Sequence, residues 1–465
     1  SSTTVMSVYN RLGELGMVRG ETGRGTFVNS LPGGGRRTSL FTVDKVETAA
    51  WGATAAWGAT AHRQAWRRRL LAQSEARLRS MFPDATDLMR GSPDHTLFPL
   101  TAIKQAFRKA ASATTARSLE YPSQLDVDPA LAGPVLEVLQ QDGVDATAEQ
   151  LLVMNSSQQF LQLTAQFLVE RANGAAPIVA VEEPGYQTAM DTFERAGCVL
   201  VGVRTDQEGA VPSALAAALE HDVSAVLFTP RAHSPTGARW TTERREQLAN
   251  VLAGHRNVTV IEDDHFAEAA AAPVGTLRSD PRIREQVLYI RSFAKSIAPD
   301  LRLAVGVADA GIRVPLGVQK SFADGWTSHI SQRALGALLG DSEVAKAMRH
   351  TARVYAERRG AAISILAGRL APTGATLPDP GSIDGLHIWL ALPPGTSADQ
   401  VVQDAARHGY LVAPGEPFFL QPGNDSYVRL NAGAVDLDAI TVASSVLAES
   451  VERAVRAPVT ALMTP

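Results

Sequence analysis

Cysteine is almost missing from this chain. Cys198 is the only one in 465 residues, which excludes an intramolecular disulfide and any metal site built from several thiolates. Its setting, Ala196-Gly197-Cys198-Val199-Leu200, reads as the entrance to a strand, so packing rather than catalysis is expected there. An excess of one charge is missing too. With 44 Lys and Arg against 48 Asp and Glu the formal net charge is −4, which does not suit a polybasic binder of nucleic acid or membrane surface. No uninterrupted apolar run approaches the roughly 20 residues that cross a bilayer, and the N-terminus lacks a basic stretch followed by an apolar one. A soluble, cytoplasmic protein without a membrane partner is expected. The ten His are dispersed and no Cys pair exists, so no metal-ligand spacing appears. What the chain has in quantity is apolar material, 45% of its residues, enough for a large core in a length that suggests about two or three domains.

Near the start, Ser2 or Thr3 can cap a helix carrying Val5, Val8, Leu12 and Leu15, which Gly16 ends. Short apolar runs at Met17–Arg19 and Thr26–Val28 flank Gly20-Glu21-Thr22-Gly23-Arg24-Gly25, a spacing that predicts a hairpin with an exposed turn. Pro32-Gly33-Gly34-Gly35-Arg36-Arg37 then reads as linker, and beyond it Ala50-Trp51-Gly52-Ala53-Thr54-Ala55 is duplicated as Ala56-Trp57-Gly58-Ala59-Thr60-Ala61. The duplication is low-complexity and is given no function. From about Leu100, runs such as Leu151–Met154, Ile178–Val181, Val258–Ile261, Val287–Ile290 and Leu303–Val307 alternate with helical stretches such as Ser157–Arg171 and Thr242–Leu252. That alternation predicts an α/β domain with a mainly parallel sheet covered on both faces. After a long helix around Ser342–Leu370, strands at His387–Ala391 and Tyr427–Leu430 with helices near Ala398–His408 and Leu437–Val455 predict a smaller α+β lobe.

Ligands of open α/β sheets sit at the carboxyl ends of strands, and the reactive residues of this chain gather there. Val287–Ile290 is followed by Ser292 and Lys295, then Arg302. A lysine so placed can form an imine with an aldehyde while the hydroxyl and the guanidinium hold an anion. Val258–Ile261 runs into Glu262-Asp263-Asp264-His265, where a carboxylate can pair with a protonated pyridine nitrogen or simply cap a helix. Asn155-Ser156-Ser157-Gln158-Gln159 opens a helix whose first N–H groups suit a phosphate.

In chain order, Asn155 to Gln159, Glu182-Glu183-Pro184-Gly185-Tyr186, Thr229-Pro230-Arg231-Ala232-His233-Ser234-Pro235-Thr236-Gly237, Glu262 to His265, Ser292-Phe293-Ala294-Lys295 with Arg302, and Val428-Arg429-Leu430 resemble the fold-type I pyridoxal-phosphate aminotransferases. The nearest resemblance is to the MocR/GabR branch of GntR-type regulators, in which a winged helix-turn-helix precedes an aminotransferase-like domain. Residues 2–28 resemble the recognition helix and wing of that module. The resemblance implies a partial winged helix over 1–30, a linker over 31–85, a large domain with a mainly parallel seven-stranded sheet over 86–335 and a small domain over 336–465. It implies pyridoxal 5'-phosphate as cofactor and a homodimer. By the same resemblance Lys295 would form the imine and move protons at the substrate Cα, Asp263 would pair with the pyridine nitrogen, and Tyr186 would stack on the ring. Ser157, Gln158, Ser292 and Arg302 would hold the phosphate, with Tyr121 reaching it from the partner subunit, and Arg429 would clamp the substrate carboxylate.

Two departures stand out. His265 occupies the place of a Tyr that normally touches the cofactor's phenolic oxygen, and Ser234 that of a common Asn. The imidazole can donate to that oxygen, shuttle protons or fill space. His233 is expected to be structural. At the front, the residues begin inside the DNA-reading motif, so an incomplete reader is expected, with Arg11, Arg19 and Arg24 available for phosphates. The reading is therefore a pyridoxal-phosphate enzyme acting on an α-amino acid through the imine and the delocalised carbanion it permits. Transamination is its default, with elimination, replacement or carbon–carbon bond formation open. The alternative is a transcription regulator sensing the cofactor plus an amino-acid-like effector, with DNA as partner if the winged helix is complete.

Overall fold

The computed structural model describes residues 18–21, 25–28, 66–122, 125–270 and 273–456. Residues 1–47 form one compact unit and residues 48–465 a second. In the first, strands β1 (Val18–Glu21) and β2 (Gly25–Val28) pair antiparallel with Val18 opposite Val28, the hairpin expected around the Gly-containing turn. The helix expected before it and the duplicated Trp segment lie outside the described residues.

The second unit opens with helix α1 (Trp66–Met81), strand β3 (Thr86–Asp87) and helices α2 (Leu100–Ser112) and α3 (Pro129–Gln141). Alternation then sets in: β4 (Leu151–Met154), α4 (Ser157–Arg171), β5 (Ile178–Glu183), α5 (Gln187–Ala196), β6 (Val199–Asp206), β7 (Gly209–Ala210), α6 (Pro212–Leu219), β8 (Val223–Phe228), α7 (Thr242–Leu252), β9 (Thr259–Asp264), β10 (Val287–Ser292) and β11 (Ala304–Val307). These strands make one sheet in the order β4-β11-β10-β9-β8-β5-β6-β7. The run from β10 through β9, β8 and β5 to β6 is parallel, and β11 lies antiparallel between β4 and β10.

The pleat explains why these runs are apolar throughout. Leu152 and Met154, Val179 and Val181, Leu288 and Ile290 pack on one face with Phe160 and Phe193. Their neighbours Leu151, Val153, Tyr289 and Ala180 pack on the other. A sheet buried on both sides has no polar face to alternate with. Cys198 lies in the first of these layers, and burial pushes its thiol up to about 12, so it stays protonated as a packing side chain.

The sheet has one strand more than the seven expected. Beyond Val203, β6 continues to Asp206, and Gly209, at φ 83°, lets the chain fold back as the two-residue β7. The acidic run also sits differently: Glu262, Asp263 and Asp264 are inside β9, with Asp263 opposite Ile290. Burial of three acids in a strand is possible because two are bonded. Glu262 accepts from the Thr276 hydroxyl and from Leu277 N, and Asp264 from Arg231 and the Tyr289 hydroxyl.

Helices α8 (Ala310–Ala323), α9 (His329–Leu339) and the long α10 (Ser342–Leu370) lead to the second lobe. There β12 (His387–Ala391), α11 (Ala398–Arg407), β13 (Tyr410–Leu411), β14 (Ala413–Pro414), β15 (Tyr427–Asn431) and α12 (Leu437–Arg456) form a three-stranded antiparallel sheet, β12-β15-β14, packed with α10, α11 and α12. No helix among the described residues is long and apolar enough to cross a membrane.

Candidate functional site

The carboxyl ends of β4, β5, β8, β9 and β10 open into one cavity of about 530 Å³, which every side chain expected at the site except Tyr121 lines. One wall is the first turn of α4. Ser156 caps it by accepting from Gln159 N at 3.2 Å, which leaves the leading N–H groups and the helix dipole directed at the cavity beside Ser157 and Gln158. Across from it Ser292 ends β10. Arg302 follows with φ 51° and ψ 51°, a left-handed conformation that a side chain other than Gly rarely adopts and that clusters at functional sites. No carboxylate among the described residues pairs with Arg302, so this wall offers hydroxyls, backbone donors and a free cation to an anion.

Deeper in, Lys295 Nζ donates to the Gly91 carbonyl. Removal from water, and then the charge of Arg429, lower its pKa to about 8. Asp263 is buried and its Oδ1 has no hydrogen-bond partner. Burial first, then the neighbouring Asp264, push its carboxyl up to about 7, against a hydrogen bond from Ser157. Burial also raises the Tyr186 hydroxyl, which stays protonated. His265 falls to about 4, through burial and then the Lys295 charge, so it is a neutral imidazole with one donor and one acceptor nitrogen. Ser234 lies two residues after Ala232, whose φ is 49°, and precedes Pro235 through a cis peptide. Its hydroxyl accepts from Arg429 Nη1 at 3.5 Å.

Arg429 itself is buried. Nη2 donates to the Met89 carbonyl at 2.5 Å and the guanidinium lies 4.6 Å over the Phe418 ring, but among the described residues Nε has no partner and no carboxylate pairs with the group. Burial lowers its pKa to about 10. A cation left in this state is completed by an incoming carboxylate.

Tyr121 is elsewhere. It is 89% exposed and meets Trp326 edge-on at 5.2 Å, away from this cavity. His233 sits behind the wall, with Nδ1 2.8 Å from the Thr236 hydroxyl and Nε2 3.4 Å from Glu182. The sequence reading missed other walls: Arg68, Leu71 and Glu75 of α1, the segment Met89 to Ser92, and His387 of β12. Helix α1 falls inside the span read as linker. Its buried positions Trp66, Leu70, Ser74 and Leu78 recur every four residues, a helical signal that the polar Ser74 obscures.

Residues 83–447 match the aminotransferase class I and II family. The chain is 34% identical over 240 residues to the vitamin B6 salvage pathway transcriptional repressor PtsJ of Salmonella typhimurium, a match covering 52% of this chain and 53% of that protein, so it spans about half of that relative's length. It is 26% identical over 366 residues to the 2-aminoadipate transaminase of Thermus thermophilus, covering 77% of this chain and 88% of that one. Among solved structures, LysN, the alpha-aminoadipate aminotransferase of Thermus thermophilus complexed with N-(5'-phosphopyridoxyl)-L-leucine, superimposes with a TM-score of 0.73 at 25% identity, covering 87% of this chain and 99% of that one. With the sheet, the cavity and a family match over most of its length, the chain belongs to the aminotransferase class I and II family, the fold-type I proteins whose cofactor is pyridoxal 5'-phosphate.

Proposed function

We propose that the chain is a pyridoxal-phosphate enzyme that acts at the Cα of an α-amino acid, with transamination as its default outcome. The observation that carries this reading is the set of incomplete groups facing one cavity. Asp263 Oδ1 lacks a donor, Arg429 Nε lacks an acceptor, and Lys295 is half-neutral near pH 8. A pyridinium N–H, a carboxylate and an aldehyde carbon are the partners these three groups accept, and the helix α4 start with Ser157, Gln158, Ser292 and Arg302 takes the phosphate.

When bound, the cofactor supplies an electron sink for the electrons left at Cα after a proton departs. The chain supplies the rest. Arg429 orients the amino acid through its carboxylate, so that the Cα–H bond faces Lys295. Lys295 would take that proton and hold it for return. Asp263 holds a proton on the ring nitrogen, and the raised pKa of the carboxyl falls once a cation faces it. Tyr186 would pack against the ring, and His265 and Ser234 would face the cofactor's phenolic oxygen. A Lys295→Ala variant loses turnover of every amino acid while retaining noncovalent uptake of the cofactor. Retained turnover contradicts the assignment.

We also propose that the functional unit is a homodimer. Along α8, Val314, Val318 and Phe322 recur every four residues on an exposed stripe, with Trp326 and Tyr121 also exposed. A continuous apolar stripe of this kind marks a contact face, and it gives Tyr121 a route to the partner's cavity.

A second reading is a transcription regulator that uses the same cavity to sense the cofactor and an amino-acid-like effector. The similarity to the PtsJ repressor and the hairpin at residues 18–28 favour it. Its signature is a bound amino acid that gives no product but alters the footprint of the protein on DNA.

A further inference from the structure

In the register of β12 on β15, His387 lies opposite Asn431 and Trp389 opposite Arg429, so all four side chains share one face. The segment Met89 to Ser92 crosses that face, and its carbonyls are taken up one by one. Arg429 holds Met89 O, Asn431 Nδ2 holds Arg90 O at 2.6 Å and Ser92 O at 2.9 Å, and Lys295 holds Gly91 O. His387 is the polar member of this face that holds nothing. The residue is 93% buried, Nδ1 is sealed without a partner, and no hydrogen bond from Nε2 exists among the described residues.

The free edge of the ring faces Gly91. A Cβ on Gly91 would stand 3.1 Å from the imidazole Cε1 and 3.2 Å from Nε2, so the missing side chain keeps a slot open between them. The slot belongs to the cavity, and the charges around it are Arg429 and Lys295, with the imidazoles of His265 and His233 behind. Burial first, and then those cations, hold the His387 pKa well below the ordinary histidine range, so the ring is neutral. Of its two tautomers, the one protonated at Nε2 leaves a lone pair rather than an N–H in the sealed Nδ1 position, which is the less costly arrangement. A neutral donor then points into a slot where cations gather, and the ligand that satisfies both is an anionic oxygen.

We propose that His387 is a carboxylate-binding residue: Nε2–H donates to one oxygen of the α-carboxylate that Arg429 clamps, with Gly91 leaving the room for it. The inference rests on the reading of the cavity as a cofactor and amino-acid site and deepens it. It implies that the ligand class is set by the α-carboxylate at two points, a guanidinium and an imidazole, so amines without that carboxylate bind far less well.

The test uses the full chain loaded with pyridoxal 5'-phosphate, titrated with common L-amino acids and with the amines that lack the carboxylate, such as L-leucine beside isopentylamine and L-phenylalanine beside phenethylamine. The change in visible absorbance reads the affinity. His387→Phe is expected to weaken each amino acid about tenfold while leaving its amine and the uptake of cofactor unchanged, and His387→Asn, which keeps a donor, to recover most of the loss. If His387→Phe does not take up cofactor, Gly91→Ala, whose methyl enters the slot, is read in the same way. Equal affinity in wild type and variant, or an equal loss for amino acid and amine, overturns the inference alone. A wild type that takes up cofactor but responds to no amino acid overturns the reading beneath it and the inference with it.

Discussion

Lys295 and Arg429 are cations in a cavity that holds them away from water, and each is pushed towards its neutral form, to about 8 and about 10. For the lysine this is a kinetic property, because only the neutral amine attacks an aldehyde. Covalent capture of pyridoxal 5'-phosphate by the cofactor-free protein therefore accelerates as the pH rises towards 8 and levels off above it, as stopped-flow absorbance reads. An acceleration that continues to about pH 10, the range of an ordinary lysine, contradicts the lowered value. At this scale much of the candidate site was legible, since Ser157 opens a helix and Tyr186, Asp263, Ser292 and Lys295 lie at or just beyond the end of a recognisable strand, while Arg429 was legible only through the resemblance, being in the middle of β15. His387 was not, because its place depends on the register of β12 on β15 and on Gly91 approaching from a distant part of the chain.

Helix α1 is the element that shows how an ion pair can replace a hydrophobic signal. Arg67 is fully buried, pairs with Asp191 at 3.1 Å and Glu194 at 2.8 Å on α5, and donates to the Phe419 and Leu420 carbonyls at 2.8 Å each. Its charge makes the segment Trp66-Arg67-Arg68-Arg69 look like solvated linker, yet these bonds fix the wall that carries Arg68, Leu71 and Glu75 into the cavity. Removing Arg67 leaves Asp191 a buried charge held only by the Arg68 backbone N–H at 2.9 Å, and Asp191 is already raised by burial. Arg67→Ala should therefore cost about 3 kcal/mol, read by denaturant unfolding. A loss within about 0.5 kcal/mol, the range of an ordinary surface substitution, contradicts this account of how α1 docks. The acidic end of β9 was misread for a related reason: the partners that allow burial, Thr276, Arg231 and Tyr289, come from outside the local pattern.

For the whole molecule, the alternation of apolar runs and helices made the parallel sheet and the second lobe legible, because periodicity survives wherever burial is two-sided. The edge strand β7 was not, since two residues carry no period. The exposed stripe of Val314, Val318 and Phe322 belongs to this scale, as does Tyr121, which stays outside the candidate cavity of its own chain. Phe322→Asp is expected to halve the mass measured by light scattering and to weaken cofactor retention, whereas an unchanged mass excludes α8 as the contact. The central claim, one cavity for a cofactor and an amino acid, is tested most directly by the visible absorbance of the protein mixed with pyridoxal 5'-phosphate, followed as L-amino acids are added one at a time with mass spectrometry of the products. The account predicts a band that requires Lys295, changes with an α-amino acid, and is accompanied by a new product. A change without product favours the sensor over the enzyme. A protein that develops no band, or the same band in the Lys295→Ala variant, contradicts the claim.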